Sequence, residues 1–111
     1  MTGAGGPKIF GTARFRVPPE NADRALARIR TFVEHVRTEE GTERHQAFRD
    51  RDDPTRFVHW MVFSDAKAER VHGSSQAVGR FTDELYPLSD GPVGFERYEL
   101  IAGSDPPAST R

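Results

Sequence analysis

The stretch 56–63, Arg-Phe-Val-His-Trp-Met-Val-Phe, limits the possible folds more than any other part of the chain. In an extended strand, successive side chains point to opposite faces. Val58, Trp60 and Val62 then share one face, and Phe57, His59, Met61 and Phe63 share the other. Both faces are apolar, so both need cover. In a two-layer domain, helices cover only one face of a sheet. A second copy of the chain, packed sheet against sheet, would cover the other, and a homodimer is the expectation. His59 is left among apolar neighbours. It is either a core imidazole bonded to an adjacent strand or water, or an acid–base group in a site.

The remaining segments supply that sheet and its helices. Residues 8–17 alternate after Gly11, with Ala13, Phe15 and Val17 on one face and Thr12, Arg14 and Arg16 on the other. Pro18 and Pro19 end this strand, because proline has no N–H for a ladder. Across 22–37, Ala22, Leu26, Ile29, Val33 and Val36 recur at helical spacing, Asn21 or the residues just before it can cap the start, and Gly41 is the expected stop. Segment 42–49 reads as a second strand. Residues 50–55, Asp-Arg-Asp-Asp-Pro-Thr, are turn chemistry joining it to the third strand. Ser64 or Asp65 caps a helix that Gly73, Ser74 and Ser75 interrupt; a second helical segment runs over about 76–85, and a fourth strand covers 93–101. The order β-α-β-β-α-β predicts an α+β, ferredoxin-like fold with a four-stranded antiparallel sheet. One domain, 8–102, is expected, between a disordered N-terminal segment, 1–7, and a flexible tail, 103–111.

Charge and composition exclude several functions. Sixteen basic residues balance 17 acidic ones, so there is no broad cationic footprint for nucleic acid or an anionic membrane. The absence of cysteine removes disulfides, zinc–thiolate sites and thiol nucleophiles. No apolar run of membrane-spanning length and no secretory leader is visible, and a cytoplasmic chain is expected. The N-terminal Gly-Ala-Gly-Gly-Pro-Lys lacks the spacing of a phosphate loop, and the cluster at 50–53 lacks the glycine and glutamate of a calcium loop. The histidines show no metal-ligand spacing, so no metal is expected.

An ordered set of short matches adds to this reading. Gly41 is followed by Phe-Arg-Asp at 48–50, Asp-Asp-Pro-Thr-Arg-Phe-Val at 52–58, Val-Phe-Ser-Asp-Ala-Lys-Ala at 62–68, His72, and Asp-Gly-Pro-Val-Gly-Phe-Glu-Arg-Tyr-Glu-Leu at 90–100. Over residues 9–100 the chain resembles the antibiotic biosynthesis monooxygenase family of dimeric α+β barrels. That family includes cofactor-free oxygenases of polyketide anthrones and quinols, haem-degrading enzymes and cyclase-like relatives. The sequence departs from the common pattern at Phe63, where the family usually has Trp, at Met61, often Glu, and at His45, often Tyr. The haem-degrading branch uses Asn, Trp and His where this chain has Ala13, Phe63 and Thr82, so haem degradation is not expected.

The resemblance implies a cavity between sheet and helices. It assigns Gly11, Ala13, Phe15 and Val17 to that cavity from strand one, Phe57, His59, Met61 and Phe63 from strand three, and His72, Val78 and Phe81 from the second helical region. The implied reaction is cofactor-independent oxidation of an aromatic polyketide, anthrone or quinol by dioxygen. Its substrate must lose a proton before it can give an electron to dioxygen, which requires a base and a dry place for the oxyanion. An imidazole of ordinary pKa, roughly 6.5, suits that task. His59 and His72 are the catalytic candidates; Ala13, Phe15, Trp60, Met61, Phe63 and Phe81 are the candidates for substrate contact or the pocket wall. His72 is equally readable as a structural residue beside the Gly73 break. If Phe48 pairs with Phe57, His45 joins Trp60 on the dimer face. His35 belongs to solvent, and Arg44 and Arg80 are candidates for steering a phenolic substrate. The alternatives are a non-redox polyketide cyclase or isomerase using the same base, and a small-molecule-binding dimer without catalysis.

Overall fold

The computed structural model describes residues 6–104; the outer parts of the segments expected to be loose, 1–5 and 105–111, lie outside the described residues. The chain runs through β1 (Ile9–Arg16), α1 (Ala22–Val36), β2 (Thr42–Arg49), β3 (Arg56–Phe63), α2 (Ala66–Gly73), α3 (Gln76–Leu85) and β4 (Gly94–Tyr98). The sheet order is β2-β3-β1-β4, antiparallel at every pair, which is the ferredoxin-like arrangement. Among the described residues, no helix is long and apolar enough to cross a membrane.

Local chemistry fixes the helix starts. The Asp65 carboxylate accepts from the Ala68 N–H at 2.8 Å and caps α2. The Ser75 hydroxyl accepts from the Val78 N–H at 3.2 Å and caps α3, so a new helix starts after the Gly73–Ser75 break. Asn21 occupies the cap position of α1, but its side chain donates instead to the Leu88 carbonyl at 3.1 Å, tying α1 to the turn after α3.

The buried stripe of α1 is Ala25, Ile29, Phe32 and Val36, with Ala22 and Val33 packed along its flanks. It is rotated from the expected stripe because the large Phe32 ring turns inward. With Phe15, Val17, Phe57, Phe81 and Leu85 it forms the core between sheet and helices. Val17 and Leu85 are almost wholly enclosed, each contributing about 1.5–3 kcal/mol of apolar burial.

Three expectations change. Helix α1 stops at Val36, before Gly41, and Gly41 does not have the positive φ of a glycine stop. Its lack of a side chain serves another purpose: a Cβ there would lie 2.5 Å from the Cβ of Ala68, so glycine lets β2 approach α2. β4 covers Gly94–Tyr98, pairing Tyr98 with Phe10, and does not run on to Ile101. Most consequentially, the β2–β3 hairpin pairs Phe48 with Val58 and His45 with Met61. That register is one residue away from a Phe48–Phe57 pairing and turns every β2 side chain to the opposite face. His45 therefore points with Met61 toward the helices, and Gln46 takes the place beside Trp60.

The helix-free face of the sheet carries Trp60, Phe48 and Tyr98, each about half exposed (49%, 46% and 47%). Val62 and Thr12 on that face are buried.

Candidate active site

A cavity of about 350 Å³ lies between the sheet and helices α2 and α3. β1 contributes Ala13 and Phe15, β3 contributes His59, Met61 and Phe63, and α2 and α3 contribute His72, Val78 and Phe81. Eight of the residues expected there from the sequence thus meet in one place. Trp60 does not: it projects from the opposite face of β3 and takes no part in the lining. Gly11, Val17 and Phe57 also stay out of it, Phe57 standing behind Phe15 with the rings stacked 5.4 Å apart. Ala13, Phe63 and Thr82 all face this one cavity.

Sequence reasoning missed two side chains that define the site, His45 and Phe32. Phe32 stacks on Phe81 with centroids 4.3 Å apart and planes within 6°, a parallel aromatic pair that joins α1 to α3 at the cavity. The His45 ring stands edge-on to Phe32 at 5.2 Å. The clue to Phe32 was available, since a phenylalanine between Ile29 and Val36 extends an i, i+3, i+7 stripe. Finding His45 required the register.

The polar groups are imidazoles. His45 Nε2 and His59 Nδ1 are 2.8 Å apart across β2 and β3, a hydrogen bond that needs one hydrogen between two ring nitrogens. The outer nitrogens of the pair, His45 Nδ1 and His59 Nε2, are buried and have no partner. His59 is therefore both things at once: a core histidine bonded to its neighbouring strand, and a cavity-lining group with one nitrogen free. Burial, with the nearby His72, pulls the His59 imidazole from 6.5 down to about 4. Burial, with His59 and His72, pulls His45 to about 3, against the opposing influence of Glu39. Both rings are neutral at neutral pH.

His72, one residue before the end of α2, bonds through Nδ1 to the Glu39 carboxylate at 2.8 Å. The same carboxylate oxygen accepts from the Thr42 hydroxyl at 2.7 Å. His72 thus has a structural tie, holding α2 to the α1–β2 connection, while its ring stays within 5.6 Å of His45. Glu69 reaches the cavity rim and is neutralised by Arg97 of β4 at 2.8 Å. Arg44 and Arg80 do not line the cavity, and none of its described lining residues is Lys or Arg. Among the described residues, no group of three or more His, Asp or Glu side chains is arranged to hold a metal ion. The arrangement suits a flat, uncharged ligand with a hydroxyl or carbonyl oxygen directed at His59 Nε2.

Comparison with known proteins agrees with this architecture. The antibiotic biosynthesis monooxygenase profile matches residues 9–84. The protein YcnE of Bacillus subtilis (strain 168), which carries a provisional monooxygenase name, is 26% identical over 88 residues, 79% of this chain and 93% of its own length. The structure of PA3566 from Pseudomonas aeruginosa superposes with a TM-score of 0.81 at 21% identity, covering 90% of this chain and 100% of that one. Rv0793 from Mycobacterium tuberculosis gives a TM-score of 0.81 at 16% identity, covering 88% and 99%. At such identities the two structures speak for the fold alone. The profile match runs from β1 almost to the end of α3 and takes in every element around the cavity except its rim at β4: the chain belongs to the antibiotic biosynthesis monooxygenase family.

Proposed function

We propose that this protein is a cofactor-independent monooxygenase of flat hydroxyaromatic substrates, of the anthrone, quinol or polyketide kind, and that it acts as a homodimer. The observation that carries the reading is the unpartnered His59 Nε2 at a largely apolar cavity. A fused ring lies against the Phe32–Phe81 stack, and Ala13, opposite His59 in the β1–β3 ladder, leaves room beside it. Phe15, Met61 and Phe63 complete the apolar wall.

In the proposed reaction, His59 Nε2 takes the proton of the enolic or phenolic O–H. The dry site concentrates the resulting negative charge on the ring system. The carbanion-like carbon of that anion reduces dioxygen by one electron, the radical pair combines into a peroxide anion, and the proton held by His59 returns to it to give a hydroperoxide. Loss of water leaves one oxygen atom on the substrate as a ketone and carries the other away. His72, anchored by Glu39, assists from α2 by holding the second substrate oxygen.

A second reading uses the same free nitrogen without oxygen. An imidazole pair that can accept and then return a proton also suits a cyclase or isomerase. One experiment separates the two: oxygen uptake and product mass with anthrones, naphthols and quinols, using the metal-free protein. Protein-dependent uptake, with one oxygen gained in the product, is the expected result. Product formation by water loss or rearrangement without uptake would replace the oxygenase by the second reading. Binding without any product would leave a small-molecule-binding dimer. With a reacting compound, His59→Gln is expected to lower kcat at least about tenfold while the fold is kept. Unchanged turnover would remove His59 from the chemistry.

A further inference from the structure

We propose that His45 and His59 work as one acid–base unit, in which His59 meets the ligand and His45 stores the proton. The inference rests on the proposed function and extends it to a β2 residue that makes no contact with the reacting oxygen; His45 is a positioning and relay residue.

The geometry restricts the pair to coupled states. At 2.8 Å, two N–H groups cannot face each other, and two lone pairs cannot bond. When His59 Nδ1–H donates to His45 Nε2, His59 Nε2 carries a lone pair in the cavity and His45 keeps its hydrogen on Nδ1. That is the basic state. A ligand O–H then breaks, and the proton forms an N–H at His59 Nε2. The bridging hydrogen moves from His59 Nδ1 to His45 Nε2. His45 becomes the imidazolium, and neutral His59 now donates Nε2–H to the ligand oxyanion. The return runs in reverse when the product oxygen needs its proton. One proton leaves the ligand and one comes back.

Of the groups around His45, Glu39 favours a cation on that ring, against the larger effects of burial, His59 and His72. A second cation is opposed: His59 and His72 disfavour charge on His45, and His72 disfavours it on His59. The titratable and charged groups facing the pair are His72 and Glu69 of α2, Glu39 before β2, Arg97 of β4 bound to Glu69, and Tyr86 after α3. β1, α1 and α3 add the apolar Phe15, Phe32 and Phe81 around His59. The unpartnered His45 Nδ1 is buried, so a proton stored there does not drain directly to water.

The test begins without a ligand. In the full-length ¹⁵N-labelled protein, two-bond ¹H–¹⁵N correlations report the state of each ring nitrogen. The expected result is that His45 and His59 respond together in one step of acidification, below the ordinary imidazole range, and that His45→Gln changes the titration of His59. Independent titration of each ring near roughly 6.5, with His59 signals indifferent to His45→Gln, would overturn the unit. The titration of the unaltered protein requires no variant to fold. Kinetics with a reacting hydroxyaromatic give the second arm: His45→Gln is expected to lower kcat at least about tenfold, with KM within about threefold. An unchanged kcat would overturn the storage role even if the pair titrates as one. If the pair titrates as one while no compound reacts, the proposed reaction fails and the coupled acid–base unit stands.

Discussion

Residue by residue, the site is a small set of imidazoles kept neutral by their neighbours, and this has a thermodynamic consequence. His59 and His45 bind protons less readily in the folded protein, at about 4 and about 3, than at the ordinary 6.5. Below 6.5 the unfolded chain takes up protons that the folded chain refuses, so stability falls as pH falls. The loss runs from about 6.5 down to the folded values, and these two groups cost nothing above that window. Chemical denaturation followed by circular dichroism is expected to show a fall on the order of a few kcal/mol between neutral pH and about 4.5. Replacing His45 by Gln should flatten the slope. Asp53 does not confuse the measurement. Its carboxylate is held down to about 2 by hydrogen bonds from the Thr55 side chain and backbone, with Arg16 beside it, so its contribution is lost only below the ordinary 3.8. A profile flat between pH 7 and 4.5 would mean that the histidines are not buried neutral.

The elements place these residues through close contacts that a small change can undo. Gly41 opens the way into β2, and Ala68 lies one turn into α2, with His72 one turn further on. Gly41→Ala puts two methyl carbons where only one fits, so α2 must move away from β2. The expected cost is about 1–3 kcal/mol in the urea midpoint, with weaker ligand binding as His72 leaves Glu39. Adding Ala68→Gly should recover part of the loss, less about 1 kcal/mol for glycine in a helix. If the two changes simply add, the contact is not the cause.

Much at this scale was legible in the sequence. The capping Asp65, the Ser75 restart and the alternation of β1 each follow from local chemistry. The hairpin register does not follow from the number of turn residues. The Asp50 carboxylate accepts from the N–H groups of Asp52 and Asp53 at 2.8 and 3.0 Å, while the Asp50 N–H donates to the Arg56 carbonyl at 2.9 Å. The turn therefore takes Asp50 into the ladder opposite Arg56, which leaves five connecting residues where six were expected, and the register shifts by one. That slip brings His45 into the cavity and creates the histidine pair. Neighbouring side chains could be read in order along each strand, but the partner across the strands depended on one backbone hydrogen bond.

For the whole molecule, the cavity and the uncovered sheet face are on opposite sides, so assembly and chemistry can be tested separately. Trp60, Phe48 and Tyr98 expose aromatic rings on the helix-free face, and the Thr12 hydroxyl is buried there without a partner. A monomer gains nothing from holding an indole half in water; a second sheet packed on it removes that cost. Trp60→Glu places a carboxylate at the centre of that face, beside Thr12, whose other ladder neighbour is Glu96. Two such faces brought together would bury like charges, so sedimentation across a dilution series is expected to show a dimer for the unaltered chain and a monomer for Trp60→Glu. The Trp60 side chain points away from the cavity and lines no part of it, so the histidine correlations should survive the substitution. A monomeric unaltered protein would overturn the dimer. A dimeric Trp60→Glu would move the interface to another surface. A monomeric variant whose histidine signals collapse would mean that the second copy, across the sheet, holds β2 and β3 in the register on which the His45–His59 pair depends.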